Sequence, residues 1–113
     1  MDRNNLTGTI PVGIGNLPLL GDLNLSHNSL TGKIPITFSN LRFVSSLDCS
    51  NNMLTGEIPE ALAYMSQLQR LDLSNNKLTG EILEALGHIS YLNWLDLSNN
   101  ELTGEIPEEY KSA

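Results

Sequence analysis

An aspartate recurs every 24 residues, as Asp48, Asp72 and Asp96, and two residues before the second and third stand Arg70 and Trp94. Carboxylate, guanidinium and indole on this spacing are groups for recognition rather than for bond-making. A row of carboxylates suits a Lys- or Arg-bearing peptide. Arg and Trp are the side chains most enriched at interface hot spots, and the two can stack as cation on ring. Gln69 and Asn93 bring amides beside them. The expected ligand-binding set is therefore Trp94, Arg70, Asp72, Asp96, Asp48, Asn93 and Gln69. No catalytic set accompanies it: His27 and His88 fall in unrelated positions, and no Ser-His-Asp arrangement follows from the spacing. Residues 72–82, DLSNNKLTGEI, imitate the start of a calcium loop through Asp72, Ser74 and Asn76, but Lys77 stands where that loop needs glycine. A flat row of aspartates supplies too few converging oxygens for a cation. No metal and no cofactor are expected.

The elements that must hold this row are repeats. LNLSHNSLTGKIP at 23–35 returns as LDCSNNMLTGEIP at 47–59, LDLSNNKLTGEIL at 71–83 and LDLSNNELTGEIP at 95–107, with a partial copy, NNLTGTIP, at 4–11. Self-similarity at a fixed period is the signature of a stacked architecture. Seven apolar columns run through the copies and are expected inside, among them Leu17, Leu41, Met65 and Ile89. The L-x-L alternation has the period of a strand with one face buried, so each rung contributes a short strand, parallel to its counterpart. On that reading the outward positions are Gly21, Asp22, Asn24, Ser26 and His27 and their equivalents, down to Asn93, Trp94, Asp96, Ser98 and Asn99. Thr-Gly-x-Ile-Pro turns the chain, and segments such as 59–67 return it with an apolar spacing of three that suits a single 3₁₀ turn. Asn28, Asn52, Asn76 and Asn100, with Asn4 before them, form a polar column at the bend after each strand. Buried amides must be hydrogen-bonded, so a structural ladder is expected there.

The chain has 113 residues and a net charge of −7, from 13 acids and 6 bases. Residues 57–113 hold ten of the acids but only Arg70, Lys77 and Lys111 among the bases. Nucleic acid is not the partner of such a surface, because binding it requires clustered Lys and Arg. The single cysteine, Cys49, excludes an intrachain disulfide and reads as a small buried hydrophobe. No apolar run reaches the ~18 residues of a membrane span, and MDRNNLTG carries no signal-peptide pattern. Glu57, Glu81 and Glu105, with Glu60, Glu84 and Glu108, read as a solvated acidic ridge. Leu19, Phe43 and Tyr91 read as an exposed apolar strip, and Leu83 replaces a turn proline. Asn5 and Asn24 head glycosylation tripeptides.

The pattern L-x-x-L-x-L-S-x-N-x-L-T-G-x-I-P at period 24 resembles the plant-type leucine-rich repeat over essentially the whole chain. The resemblance implies an α/β repeat solenoid: a right-handed superhelix with a concave parallel β-sheet, short flank strands and a 3₁₀ and loop convex side. It implies one array over 1–113, with a partial repeat at 1–19, repeats starting near 20, 44, 68 and 92, and no cysteine caps. Such repeats form ectodomains of plant receptor-like kinases and receptor-like proteins. An extracellular or cell-surface binding module is therefore expected, recognising a protein or peptide ligand or a co-receptor that is itself a leucine-rich repeat protein. Two alternatives come with the family: a secreted inhibitor of a cell-wall-degrading enzyme, similar to polygalacturonase inhibitors, and an ice-binding protein. Met1 and Ala113 both fall in mid-repeat, so the expectation is a fragment, a truncated paralogue or an engineered piece whose uncapped ends allow end-to-end self-association.

Overall fold

Each copy of the repeat becomes one rung of a coil, and the rungs stack through strands. The computed structural model describes residues 6–17, 19–82 and 92–103. In chain order the strands are β1 (Thr7–Thr9), β2 (Asp22–Asn24), β3 (Ser29–Gly32), β4 (Ser46–Asp48), β5 (Met53–Leu54), β6 (Arg70–Asp72), β7 (Thr79–Glu81), β8 (Trp94–Asp96) and β9 (Glu101–Thr103). Among the described residues three 3₁₀ turns, Val12–Asn16, Ile36–Asn40 and Glu60–Tyr64, lie on the return path. The main sheet is parallel, in the order β2-β4-β6-β8. Leu23, Leu47, Leu71 and Leu95 sit opposite one another in it, so its register is one full repeat per rung.

The flank strands obey a different register. Gly8 pairs with Leu30, Gly32 with Leu54 and Gly80 with Leu102, a step of 22 residues rather than 24. Neighbouring flank strands are thus slipped by two positions at every rung. Strands β1, β3 and β5 form one flank sheet and β7 and β9 another. Lys77 N–H donating to the Leu54 carbonyl at 2.8 Å and Thr79 N–H to the Gly56 carbonyl at 2.9 Å continue the ladder between them.

The turn chemistry follows from the residue types. Gly8, Gly32, Gly56 and Gly80 hold φ of 79–85°, a left-handed conformation that costs glycine nothing. Proline precedes each 3₁₀ turn, and the turns close through N–H donors of Ile14, Phe38 and Leu62 to the carbonyls of Pro11, Pro35 and Pro59, all at 3.2 Å. Between sheet and turns lies one continuous core that includes Leu23, Leu47, Leu71 and Leu95 with Phe38, Leu62, Met65 and Leu68. The inward assignment of the apolar columns needs correction at the first described rung. Leu17 is 48% exposed whereas Leu41 and Met65 in the same column are buried, and Leu6 and Leu20 are half-buried. A solenoid residue is covered by the rungs on both sides of it.

The asparagine column ties the two sheets together. Asn52 Oδ1 accepts from the Leu30 N–H at 3.0 Å, while its Nδ2 donates to the carbonyls of Leu25 (2.9 Å), Cys49 (3.2 Å) and Ser50 (3.1 Å). Asn76 repeats the set with the Leu54 N–H and the carbonyls of Cys49, Leu73 and Ser74. Asn28 and Asn100 make the equivalent bonds to the Leu6 and Leu78 N–H groups. Each amide therefore closes its own turn and reaches one rung back. Asn4, Asn5, Leu83, Glu84, His88, Ile89, Tyr91, Glu105 and Glu108 lie outside the described residues. Among the described residues no helix is long and apolar enough to cross a membrane.

Candidate functional site

The main-sheet face is built from two outward columns of the four strands. One reads Asp22, Ser46, Arg70, Trp94; the other reads Asn24, Asp48, Asp72, Asp96. Because Arg70 lies directly opposite Trp94 on the next rung, its guanidinium carbon rests 4.3 Å from the centre of the indole ring. Its two terminal nitrogens point to carboxylates of the second column, Nη1 to Asp48 Oδ2 and Nη2 to Asp72 Oδ2, each at 3.9 Å. Those are charge contacts without hydrogen bonds, which need about 3.2 Å or less. The structure therefore brings together Arg70, Trp94, Asp48 and Asp72. Asp96 pairs with Asp72 in the next rung, and Gln69 and Asn93 lie exposed at the strand entrances, where the Asn93 N–H donates to the Gln69 carbonyl at 2.9 Å.

Repeated aspartates on adjacent strands repel, and the chain offsets this within each rung. Asp48 Oδ1 accepts from the Ser50 N–H at 3.0 Å and from the Ser50 hydroxyl at 2.6 Å. Asp72 with Ser74 and Asp96 with Ser98 repeat this arrangement, and Asn24 makes the same two bonds to Ser26 without a charge. Donors at the ionised carboxylate stabilise it. Two corrections to the outward set follow. Ser26, Ser50 and Ser74 are buried, turned back onto the preceding side chain, and Asp72 itself is 9% exposed beneath Arg70. The next column, His27, Asn51, Asn75 and Asn99, holds φ of 57–58° at every rung, a left-handed position tolerated by Asn and His.

The remaining groups are placed as scaffold or as plain surface. Cys49 is fully buried, and burial, with the charges of Asp48 and Asp72 behind it, pushes its thiol far up, leaving no reactive thiolate. Among the described residues no cluster of His, Cys, Asp or Glu is placed to hold a metal ion. Asn24 is exposed on the main-sheet face. Leu19 and Phe43 are exposed, as are Val12, Ile36 and Tyr64. A shallow hollow on the return side, lined by Ser39, Asn40, Arg42, Tyr64 and Ser66, went unread in the sequence. Its signal was the departure of Tyr64 from the asparagines, Asn16 and Asn40, that precede it in its column.

Comparison with known proteins agrees with this architecture. A family model described as leucine rich repeat matches residues 45–102, and a second matches residues 20–41. A search of curated protein sequences returns no match. The chain is similar to the Arabidopsis receptor kinase HAESA, solved in complex with the peptide hormone IDA and the co-receptor SERK1 (TM-score 0.90, 41% identity over 96% of this chain and 18% of that one). It is similar to the BIR2 ectodomain from Arabidopsis thaliana (TM-score 0.91, 40% identity, 99% of this chain and 59% of that one). It is also similar to a plant ice-binding protein (TM-score 0.87, 38% identity, 96% and 36%). The chain thus spans less than two thirds of each of these proteins.

Proposed function

The chain belongs to the leucine-rich repeat family, and we propose that it is an extracellular recognition module that does no chemistry and holds a protein or peptide partner against its main sheet. The observation that carries this reading is the Arg70–Trp94 stack across β6 and β8 of that face, flanked by Asp48, Asp72 and Asp96. The similarity to HAESA, solved with a peptide hormone and a co-receptor, supports the same class of partner. Gln69 and Asn93 would frame the contact from the strand entrances. The test is a binding screen of secreted plant peptides and receptor ectodomains by biolayer interferometry. A true partner should lose about tenfold or more in affinity on Trp94→Ala, as hot-spot truncations do, at unchanged melting temperature. A partner indifferent to Trp94→Ala and to Gln69→Ala would place recognition elsewhere and defeat the reading.

A second reading, ice binding, is favoured by one observation. Thr7, Thr31, Thr55, Thr79 and Thr103 are all exposed along the flank, each stepped two positions from its counterpart on the next rung, and one similar structure is a plant ice-binding protein. Inhibition of ice recrystallisation that disappears in Thr55→Tyr would establish it; absence of inhibition would remove it.

A further inference from the structure

We propose that Asp48, Asp72 and Trp94 form a cation-binding cage, which Arg70 fills in the free chain and which a Lys or Arg side chain of a cationic partner segment fills in the complex. This rests on the reading of the main sheet as the recognition face and gives its partner a chemistry.

Three walls of the cage surround the guanidinium: Asp48 Oδ2 and Asp72 Oδ2 at 3.9 Å and the indole at 4.3 Å. The fourth side is open, since the Arg70 side chain is 43% exposed. The walls are pre-organised by groups other than Arg70. Oδ1 of each aspartate is pinned by the N–H and hydroxyl of the serine two residues on, which leaves Oδ2 turned to the cage. Arg70 by contrast is loosely held. It makes no hydrogen bond to either carboxylate, touching both only by charge contacts of 3.9 Å, and its own side chain is 43% exposed over carboxylates that are 16% and 12% exposed. An incoming cation therefore displaces it at small cost and inherits two oriented carboxylates and a ring face. The charge of the surroundings selects the sign of the partner. Across the four strands the face carries Asp22, Asp48, Asp72 and Asp96 against Arg70 alone, which is four minus one, or three net negative charges.

Trp94 is the only tryptophan of the chain, so its emission reports on the cage directly. The probes are capped hexa-arginine and hexa-glutamate peptides, titrated into wild-type protein, Arg70→Ala, and Arg70→Ala combined with Asp48→Asn and Asp72→Asn. Asparagine is the chosen replacement because Asn24 already makes the same pair of bonds to Ser26, so the charge is removed with the turn retained. Circular dichroism melts check each variant, and Arg70→Gln serves as a second version of the displacement variant. Hexa-arginine is expected to shift Trp94 emission in wild type, to bind Arg70→Ala about fivefold tighter once its competitor is gone, and to lose that gain in the asparagine variant and in high salt. Equal or weaker binding to both Arg70→Ala and Arg70→Gln overturns the proposal, as does an unmoved emission in every variant. Binding of hexa-glutamate that vanishes in Arg70→Ala also overturns it, making Arg70 itself the contact for an anionic ligand while leaving the main sheet as the recognition face. That broader reading fails separately, if a screened partner ignores both Trp94→Ala and Gln69→Ala.

Discussion

Asn76 shows how much one polar side chain does here. Its oxygen accepts the Leu54 N–H at 3.0 Å and its amide nitrogen serves three carbonyls, two in its own rung and one in the rung before. Asn76→Ala strands these groups in the interior and is expected to cost about 1–3 kcal/mol, read as a fall in denaturation midpoint. Asp72 is a milder case with a built-in control. Asp72→Asn should be nearly neutral, since Asn24 shows that an amide oxygen serves the serine equally well, whereas Asp72→Ala leaves the buried Ser74 hydroxyl without its acceptor and should cost about 1–2 kcal/mol. Cys49 gives a pH test. Burial raises its thiol above the ordinary value of 9.0, so the unfolded chain releases a proton at alkaline pH that the folded chain keeps. Its contribution is complete below pH 9 and is lost as pH rises beyond, and the corresponding alkaline fall in stability should diminish in Cys49→Val. At this scale the sequence was legible where a residue type is unusual for its surroundings, as in the asparagine column. It misled at Ser50 and Ser74. Alternation places both outside, but the strands end at Asp48 and Asp72, and beyond a strand end the period of two no longer governs direction.

Elements are short here, so their ends decide most of the geometry. The main strands are three residues long, and three positions beyond the end of each stands a left-handed residue, His27, Asn51, Asn75 or Asn99. Asn75→Gly should be tolerated, while Asn75→Val should cost about 1–2 kcal/mol, because a branched Cβ crowds the carbonyl in that conformation. Gly56 holds φ +80°, and a Cβ there would also meet the Lys33 side chain at 3.0 Å. Residue type alone marks the glycine turn, but not the Asn75 position, since its neighbour Asn76 is also an asparagine without positive φ and His27 fills the equivalent place on another rung. The cage followed only in part. Placing Arg70 opposite Trp94 needed no more than the 24-residue period, but whether the guanidinium would lie on the ring, reach the carboxylates or extend into water depended on side-chain packing above the sheet.

For the whole molecule, stability is a sum over neighbouring rungs. Leu71 on the central strand is fully buried, with β4 on one side and β8 on the other. Leu71→Ala should cost about 2–5 kcal/mol, clearly more than the same change at the half-buried Leu20, with chemical denaturation as the measurement. The sequence by itself determined the coil: a repeat without insertions sets which columns are buried, that the strands run parallel, and that the main sheet advances one repeat per rung. It also determined that Asp48, Asp72 and Asp96 form one row. Only the tertiary structure decided how the second edge of each rung pairs. The flank strands advance 22 residues, not 24, and a slip of two preserves the inward and outward alternation, so no hydrophobic pattern distinguishes the two registers. The distinction is made in three dimensions by the asparagine side chains, whose oxygens take the N–H of the leucine 22 residues earlier.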